Sequence, residues 1–389
     1  MILKKGFKKS LCFVLSSIIT LGMVATANLS VSAVDASEKV FKPLPNEYKT
    51  ISSKQGTIEK LSYKWGADTK YFNVYLPNGY NQSDTSKKYN VVYLMHGGGE
   101  DENLLFGGPG QNKELKVIID NMIAKGDIDP AIFVTPSFYK GNNDVAGFPQ
   151  ELSTTVIPLV ETKYNTYLKS TSTADMKASR DHRAFGGFSM GSVCTWYTYI
   201  NCLDYIKYFM PFSGDCWALG STAGSSKPTE TAQYLADVAK KAGYTAPHDF
   251  KLFCATGSDD IAYPNMRPQI DAMKKLTDTF IYSSDIKNGN FYFMVANGGT
   301  HWWGYINQYI YNILPDLFKD IAVVPTLGDL NKDGSVDATD YALLKMHILN
   351  ITPLTGDALI NADVDKNGEV NALDFAVMKK YLLGSISAF

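Results

Sequence analysis

Along the middle of the chain, short apolar runs alternate with stretches whose apolar residues recur at helical spacing. This is the pattern of a mostly parallel sheet covered by helices on both faces. Strands are expected over 56–63, 71–77, 90–95, 131–136, 183–188, 250–256 and 290–296, and helices over 115–125, 151–164, 192–200 and 303–318. The stretch 78–88, rich in Asn, Ser, Asp and Lys, reads as a solvated loop. Past Phe318 the pattern breaks at a short Val-Val-Pro linker, and two polar loops follow, each leading into one helix, over 338–349 and 372–383. The expectation is an α/β domain with a mostly parallel central sheet over 47–320, a linker at 321–327 and a small all-α domain over 328–389.

The N-terminus changes the compartment assigned to the chain. Lys4, Lys5, Lys8 and Lys9 precede an apolar stretch over 11–27, which ends near Val31-Ser32-Ala33. A basic, apolar and small-residue sequence of this kind predicts a secretory signal over 1–33, with a leader over 34–46. Loss of the signal removes four lysines and takes the formal charge from −2 to −6, which argues against a nucleic-acid partner. With 45% hydrophobic residues in 389, there is ample material for one large core. Cys194, Cys202, Cys216 and Cys254 remain in the mature chain and could form two disulfides. Since Cys194 and Cys254 fall in a buried helix and a buried strand, free thiols are the favoured expectation.

Candidate chemistry begins at Gly187-Phe188-Ser189-Met190-Gly191, placed between a strand and a helix. A serine on so sharp a turn leaves no room for side chains two residues either side, hence the glycines. A serine hydroxyl needs an adjacent base, and the base needs a third group to orient it. In a strand-turn-helix setting the chain order is serine, acid, histidine. Of the later histidines, His248 sits beside Pro247 ahead of a strand and reads as a surface residue. His301 follows a strand and a Gly-rich loop and is the candidate base. The strand 250–256 ends in Gly-Ser-Asp259-Asp260, where Asp260 is assigned to the histidine and Asp259 to the turn. A loop-capping role for both aspartates is the alternative. Another Gly-rich loop, His96-Gly97-Gly98-Gly99-Glu100, follows the strand 90–95 and suits converging backbone N–H donors. His96 is expected to brace that loop, and His182 to sit on the charged turn before the elbow strand.

The two C-terminal loops repeat at a spacing of 34 residues. Asp329, Asn331, Asp333, Ser335, Asp337 and Asp340 fall at positions 1, 3, 5, 7, 9 and 12 of the first. Asp363, Asp365, Asn367, Glu369, Asn371 and Asp374 occupy the same positions of the second. Oxygen donors in this register, with glycine at position 6, point to one Ca²⁺ per loop. Position 12 is Asp rather than Glu, and no helix-forming segment precedes Asp329, which departs from an EF-hand.

His96-Gly-Gly-Gly-Glu100, Gly187-Phe-Ser-Met-Gly191, Thr256-Gly-Ser-Asp-Asp-Ile-Ala262 and Thr300-His-Trp-Trp-Gly304 together resemble the feruloyl esterases of carbohydrate esterase family one. The likeness runs from Gly56 to Phe318. It implies an α/β-hydrolase that cleaves ferulate or p-coumarate esters of arabinoxylan, with Ser189, Asp260 and His301 as triad and the Met190 and Gly98 N–H groups as oxyanion hole. An aromatic acyl group needs an apolar slot, for which Trp217 is the candidate wall; an ordinary core or surface role for it is the alternative. Acetylxylan esterases share much of this pattern, so acetyl esters are a second substrate class. A carbohydrate-binding module on a decayed hydrolase fold is the non-enzymatic alternative. The C-terminal loops resemble a type I dockerin. That likeness implies two structural Ca²⁺ ions, a cohesin domain of a scaffoldin as partner, and an extracellular cellulosomal location. It carries cohesin recognition onto Ala338, Thr339, Lys345 and Met346 in one half and Ala372, Leu373, Lys379 and Lys380 in the other, with the binding face left open.

Overall fold

The computed structural model describes residues 38–389 apart from 142, 245–248, 286–287, 320–326, 332–334, 356 and 388. The expected signal, the first leader residues, His248, linker residues 321–326 and Asp333 lie outside the described residues. Eight strands form one sheet: β1 (Thr57–Trp65), β2 (Asp68–Leu76), β3 (Val91–Met95), β4 (Ile132–Thr135), β5 (Arg183–Phe188), β6 (Tyr208–Phe212), β7 (Lys251–Gly257) and β8 (Phe291–Ala296). Their order is β1-β2-β4-β3-β5-β6-β7-β8. The β1–β2 hairpin and the β2–β4 pair are antiparallel, and every other neighbour is parallel.

Helices α1 (Glu114–Lys125), α2 (Met190–Cys202), α3 (Pro228–Lys241), α4 (Tyr263–Met273) and α5 (Trp303–Ile313) cover the sheet. The pleat divides the apolar side chains between two cores. Val91, Tyr93 and Met95 of β3 face α2, α3 and α4, whereas Val92 and Leu94 face α1 and α5. Being covered on both sides, β3 to β7 are buried along their whole length and largely apolar rather than alternating, as parallel strands in such a fold must be. Ion pairs sealed inside include Lys70 with Glu151, which Tyr63 and Asn143 also contact, and Arg183 with Glu161, 2.7 Å apart at the base of β5. Deleting one partner of either would strand a buried charge, at about 3–5 kcal/mol.

Several segments depart from the sequence expectation. Residues 151–164 were expected as one helix. Instead Phe148–Glu151 and Ile157–Lys163 are joined by a π turn over Leu152–Val156. The strand β6 and helices α3 and α4 were not anticipated. Pro211 interrupts the β6 pattern, and Pro228, Pro264 and Pro268 fall in or at the start of the two helices. The described part of the leader packs against the domain: the backbone N–H groups of Lys39, Lys42 and Leu44 donate to Phe293 O, Asn312 Oδ1 and Gln308 Oε1. All four described cysteines are free and buried. No helix among the described residues is long and apolar enough to cross a membrane.

The C-terminal domain has helices α6 (Ala338–Ile348), α7 (Asp357–Ala362) and α8 (Ala372–Leu382). The short α7, ahead of the second loop, was not expected. Tyr341 and Phe375 hold equivalent places in the two repeats and stack on each other with ring centroids 4.0 Å apart. Leu330, Leu344, Ala362, Val364 and Met378 make up its small buried core.

His182 lies on the turn before β5, stacked on Tyr167 and hydrogen-bonded through Nδ1 to Asn90 Oδ1 at 2.7 Å. Burial pushes its pKa down to about 4. Above pH 6.5 the ring is neutral folded or unfolded; between pH 6.5 and 4 only the unfolded chain takes up the proton, so this histidine costs stability as the pH falls through that window. His182→Gln is expected to flatten the drop in melting temperature between pH 7 and 4.5, by a margin equivalent to about 1 kcal/mol after allowance for partial exposure. Parallel thermal melts of the two proteins at both pH values are the check; equal drops would show that the ring is protonated in the fold.

Candidate active site

Because β3, β5, β7 and β8 run parallel, their carboxyl ends lie on one edge of the sheet, where ligands bind in such folds. Register then sets the neighbours. Met95 pairs with Gly187, which brings the loop after β3 level with the serine turn. Gly257 pairs with Ala296, which sets the aspartate loop beside the histidine loop.

Ser189 sits at φ +57°, ψ −115°, in the left-handed half of backbone space, and its N–H donates to Phe212 O at 3.0 Å. Helix α2 starts at the next residue. The flanking glycines are required by space. A Cβ on Gly187 would lie 2.6 Å from the Gly191 carbonyl carbon, and one on Gly191 would lie 2.5 Å from His96 O.

His301 Nε2 is 2.9 Å from Ser189 Oγ, and its Nδ1 is 2.7 Å from Asp260 Oδ1. The histidine side chain is 20% exposed while that of Asp260 is sealed. Asp260 Oδ1 also accepts the Ala262 N–H at 2.8 Å. Burial acts to raise the Asp260 pKa, but hydrogen bonds from His301 and Ala262 outweigh it and hold the carboxyl below its ordinary range. Asp259 is exposed, with its N–H on Gly299 O and its carboxylate accepting the Ser258 hydroxyl. The adjacent aspartates therefore do point different ways, and it is Asp260 that reaches His301.

Of the three glycines after β3, Gly97 donates its N–H to Glu100 Oε2 and Gly99 donates to Tyr139 Oη, each at 2.7 Å. Gly98 lies against the elbow, since a Cβ there would fall 3.2 Å from Met190 Cγ. The Met190 N–H, in the first turn of α2, has no carbonyl one turn back within the helix. His96 is fully buried under the loop, with Nδ1 2.7 Å from Gly97 O and Nε2 2.9 Å from Ser137 Oγ; burial lowers its pKa. Trp217 is half-buried on the loop after β6; its indole N–H donates to Asp215 Oδ1 and its carbonyl accepts the Tyr197 hydroxyl. Gly214 of that loop touches the elbow: a Cβ there would lie 2.8 Å from Ser189 O. The bracing roles of Ser137, Tyr139 and Asp215 have no periodic signature; their one sequence signal is position, directly after the ends of β4 and β6.

In the second C-terminal loop, carboxylate oxygens of Asp363, Asp365 and Asp374 lie within 4.8 Å of one another. Asp374 is fully buried and accepts the Asp365 and Asn371 N–H groups. Asn367 and Glu369 continue that loop, the Asn367 side chain accepting the Glu369 N–H. In the first loop Asp340 is fully buried and accepts from Leu330, Asn331 and Asp337; Asp329 is buried, and Ser335 is exposed. Asp337 and Asn371 cap α6 and α8. Converging, all-oxygen donors of this kind fit a hard divalent cation such as Ca²⁺.

The sheet order, the strained serine turn and the serine–histidine–aspartate chain define an α/β-hydrolase, and its class is carboxylic ester hydrolase. The chain belongs to the putative esterase family, matched over residues 66–317, and carries a dockerin type I domain over residues 327–383. Endo-1,4-beta-xylanase Y of Acetivibrio thermocellus is 48% identical over 280 residues, covering 72% of this chain and 25% of that protein. An endo-1,4-beta-xylanase/feruloyl esterase of Xylanibacter ruminicola is 32% identical over 155 residues, covering 36% of this chain and 19% of that protein. The chain thus spans a quarter or less of these curated relatives. A solved feruloyl esterase module from Clostridium thermocellum, a serine-to-alanine mutant complexed with sinapinate, superposes with TM-score 0.67 at 47% identity, covering 73% of this chain and 96% of that one. A ferulic acid esterase from the anaerobic fungus Anaeromyces mucronatus, with TM-score 0.53 and 19% identity over 72% of this chain and 99% of that one, shares the fold.

Proposed function

We propose that this chain is a secreted feruloyl esterase that releases ferulic and p-coumaric acid from feruloylated arabinoxylan and is held to a cohesin-bearing scaffold by its dockerin. The observation that carries this reading is the hydrogen-bonded Ser189–His301–Asp260 chain, set in a sequence 47% identical to a feruloyl esterase module. His301 takes the Ser189 proton through Nε2 while Asp260 holds the other nitrogen and fixes the tautomer. The serine oxygen attacks the ester carbonyl. The charge that develops on the carbonyl oxygen is met by the N–H groups of Met190 and Gly98, each such donor contributing about 3–4 kcal/mol. The tetrahedral adduct collapses as His301 gives its proton to the departing sugar oxygen. Water then repeats the sequence on the acyl-serine and frees the acid.

Trp217, tied in place by Asp215 and Tyr197, is assigned to the wall against which the aromatic acid packs. In the dockerin, Asp329, Asn331, Asp333, Ser335, Asp337 and Asp340 would hold one Ca²⁺, and Asp363, Asp365, Asn367, Glu369, Asn371 and Asp374 a second. The cations contribute structure and no catalytic step. Leu373, one of the positions onto which the dockerin likeness carries cohesin recognition, is exposed at the start of α8.

Initial rates on methyl ferulate and on acetylated xylan, with Ser189→Ala as control, test the assignment. The expected result is rapid turnover of methyl ferulate and slow release of acetate. The reverse preference would replace the acyl group in this proposal with acetyl, and wild-type inactivity on both would leave a carbohydrate-binding module.

A further inference from the structure

Glu100 uses both of its carboxylate oxygens, and on different elements. Oε2 accepts the Gly97 N–H and Oε1 accepts the indole N–H of Trp303, each at 2.7 Å. Gly97 belongs to the loop that leaves β3, while Trp303 opens α5 two residues after His301. The Trp303 ring meets Phe188 edge-on at 4.9 Å, and Phe188 in turn lies 4.5 Å from the His301 ring. A closed circuit therefore runs from the glycine loop through Glu100 and Trp303 to the last residue of β5 and back to the histidine.

Three consecutive glycines have no side chains to anchor them and many backbone states to lose, and Gly98 and Gly99 are exposed. A donor N–H that drifts by about 1 Å forfeits on the order of 100-fold in rate. Such a loop needs an external brace. A carboxylate this near a developing oxyanion would by itself oppose the charge. Its presence is explained if both oxygens are occupied by donors outside the hole. With Gly97 held by Glu100 and Gly99 by Tyr139, the remaining N–H of the three is that of Gly98, the residue that faces Met190.

We propose that Glu100 is a positioning residue for ester cleavage: it clamps the glycine loop to the start of α5, so that the Gly98 donor and the His301 base keep one fixed geometry around Ser189. The proposal rests on the esterase reading above and adds a residue that touches neither substrate nor serine. Its effect should appear in kcat, because the ground-state ester does not depend on the oxyanion donors as the transition state does.

The test uses the full-length chain with methyl ferulate as substrate and compares wild type, Glu100→Ala, Glu100→Gln, Trp303→Phe and the Glu100→Ala/Trp303→Phe double variant. Glu100→Ala is expected to lose about 30–100-fold in kcat with KM changed by no more than about threefold. Glu100→Gln should lose less, since its amide oxygen can still accept one of the two N–H groups. Trp303→Phe keeps the ring and removes the donor, and should lose about tenfold. The double variant should be no slower than Glu100→Ala, because each change breaks the same link. Losses that multiply in the double variant would overturn the clamp. So would an unchanged kcat in Glu100→Ala, or a loss that vanishes when rates are taken well below a lowered melting temperature. An inactive wild type would remove the esterase reading and this proposal together; an active wild type with a fully active Glu100→Ala removes this proposal alone.

Discussion

Ser189→Ala is expected to lower kcat on methyl ferulate by about 10⁴-fold or more without loss of the fold, and Ser189→Gly to do the same while raising stability. The first effect follows from chemistry. Without the hydroxyl, the residual rate comes from binding and from the oxyanion donors acting on water. The second follows from the backbone. Ser189 sits at φ +57°, where a side chain costs about 1–3 kcal/mol, and alanine keeps that cost. Glycine relieves it but adds about 0.5–1 kcal/mol of unfolded-state entropy. The net expectation is a glycine variant about 1 kcal/mol more stable than the alanine variant, readable as a higher urea midpoint at equal slope. An alanine variant with more than a small fraction of wild-type activity would remove Ser189 from the mechanism. A glycine variant less stable than alanine would show that the elbow stores no strain. The comparison separates two roles of one residue, since both variants lose the nucleophile and only one loses the distortion that presents it.

That elbow was readable from five residues because its glycines answer a steric demand that extends only across the turn: Gly187 and Gly191 touch each other and the β3 end. The hydrogen-bonded arrangement of Ser189, His301 and Asp260 was readable from chain order, since parallel strands deliver successive loops to the same edge. What stayed hidden was contact between elements distant in sequence. Nothing in the pattern around Glu100 and Trp303 announces a hydrogen bond across 203 positions. The Lys70–Glu151 and Arg183–Glu161 pairs look like ordinary surface charge until the fold seals them. Strand β6 escaped notice for a local reason, because Pro211 reads as a break although it lies in a parallel pairing opposite Gly187. Helix α4 has two prolines, one at its start, where proline's fixed φ suits a helix, and one inside.

Chelation with EDTA is expected to abolish cohesin binding and to collapse the helical signal of the C-terminal domain while esterase turnover stays unchanged. Among the described residues, the small domain has five buried apolar residues in its core, too few to offset the chain entropy of about 60 residues unaided. Its loops also crowd carboxylates together, where a cation would offset their mutual repulsion. Asp363, Asp365 and Asp374 bring oxygens within 4.8 Å of one another, and Asp340 and Asp374 are fully buried. Cation binding therefore doubles as folding free energy, about 10 kcal/mol or more being typical when a metal organises an otherwise unfolded module. The esterase cores share no residue with this cluster, and no triad residue lies in either loop. Asp363→Ala with Asp374→Ala should weaken cohesin capture even in excess Ca²⁺, since it removes two of the converging ligands of one site. Far-UV circular dichroism of the full-length chain, cohesin capture on a sensor surface and methyl ferulate turnover, each before and after EDTA and again after Ca²⁺ is restored, measure the three arms. Capture that survives chelation would mean that α6 and α8, joined by Tyr341 stacked on Phe375, hold together without the ions. Turnover lost on chelation would tie the serine site to the calcium loops, which the separate cores argue against.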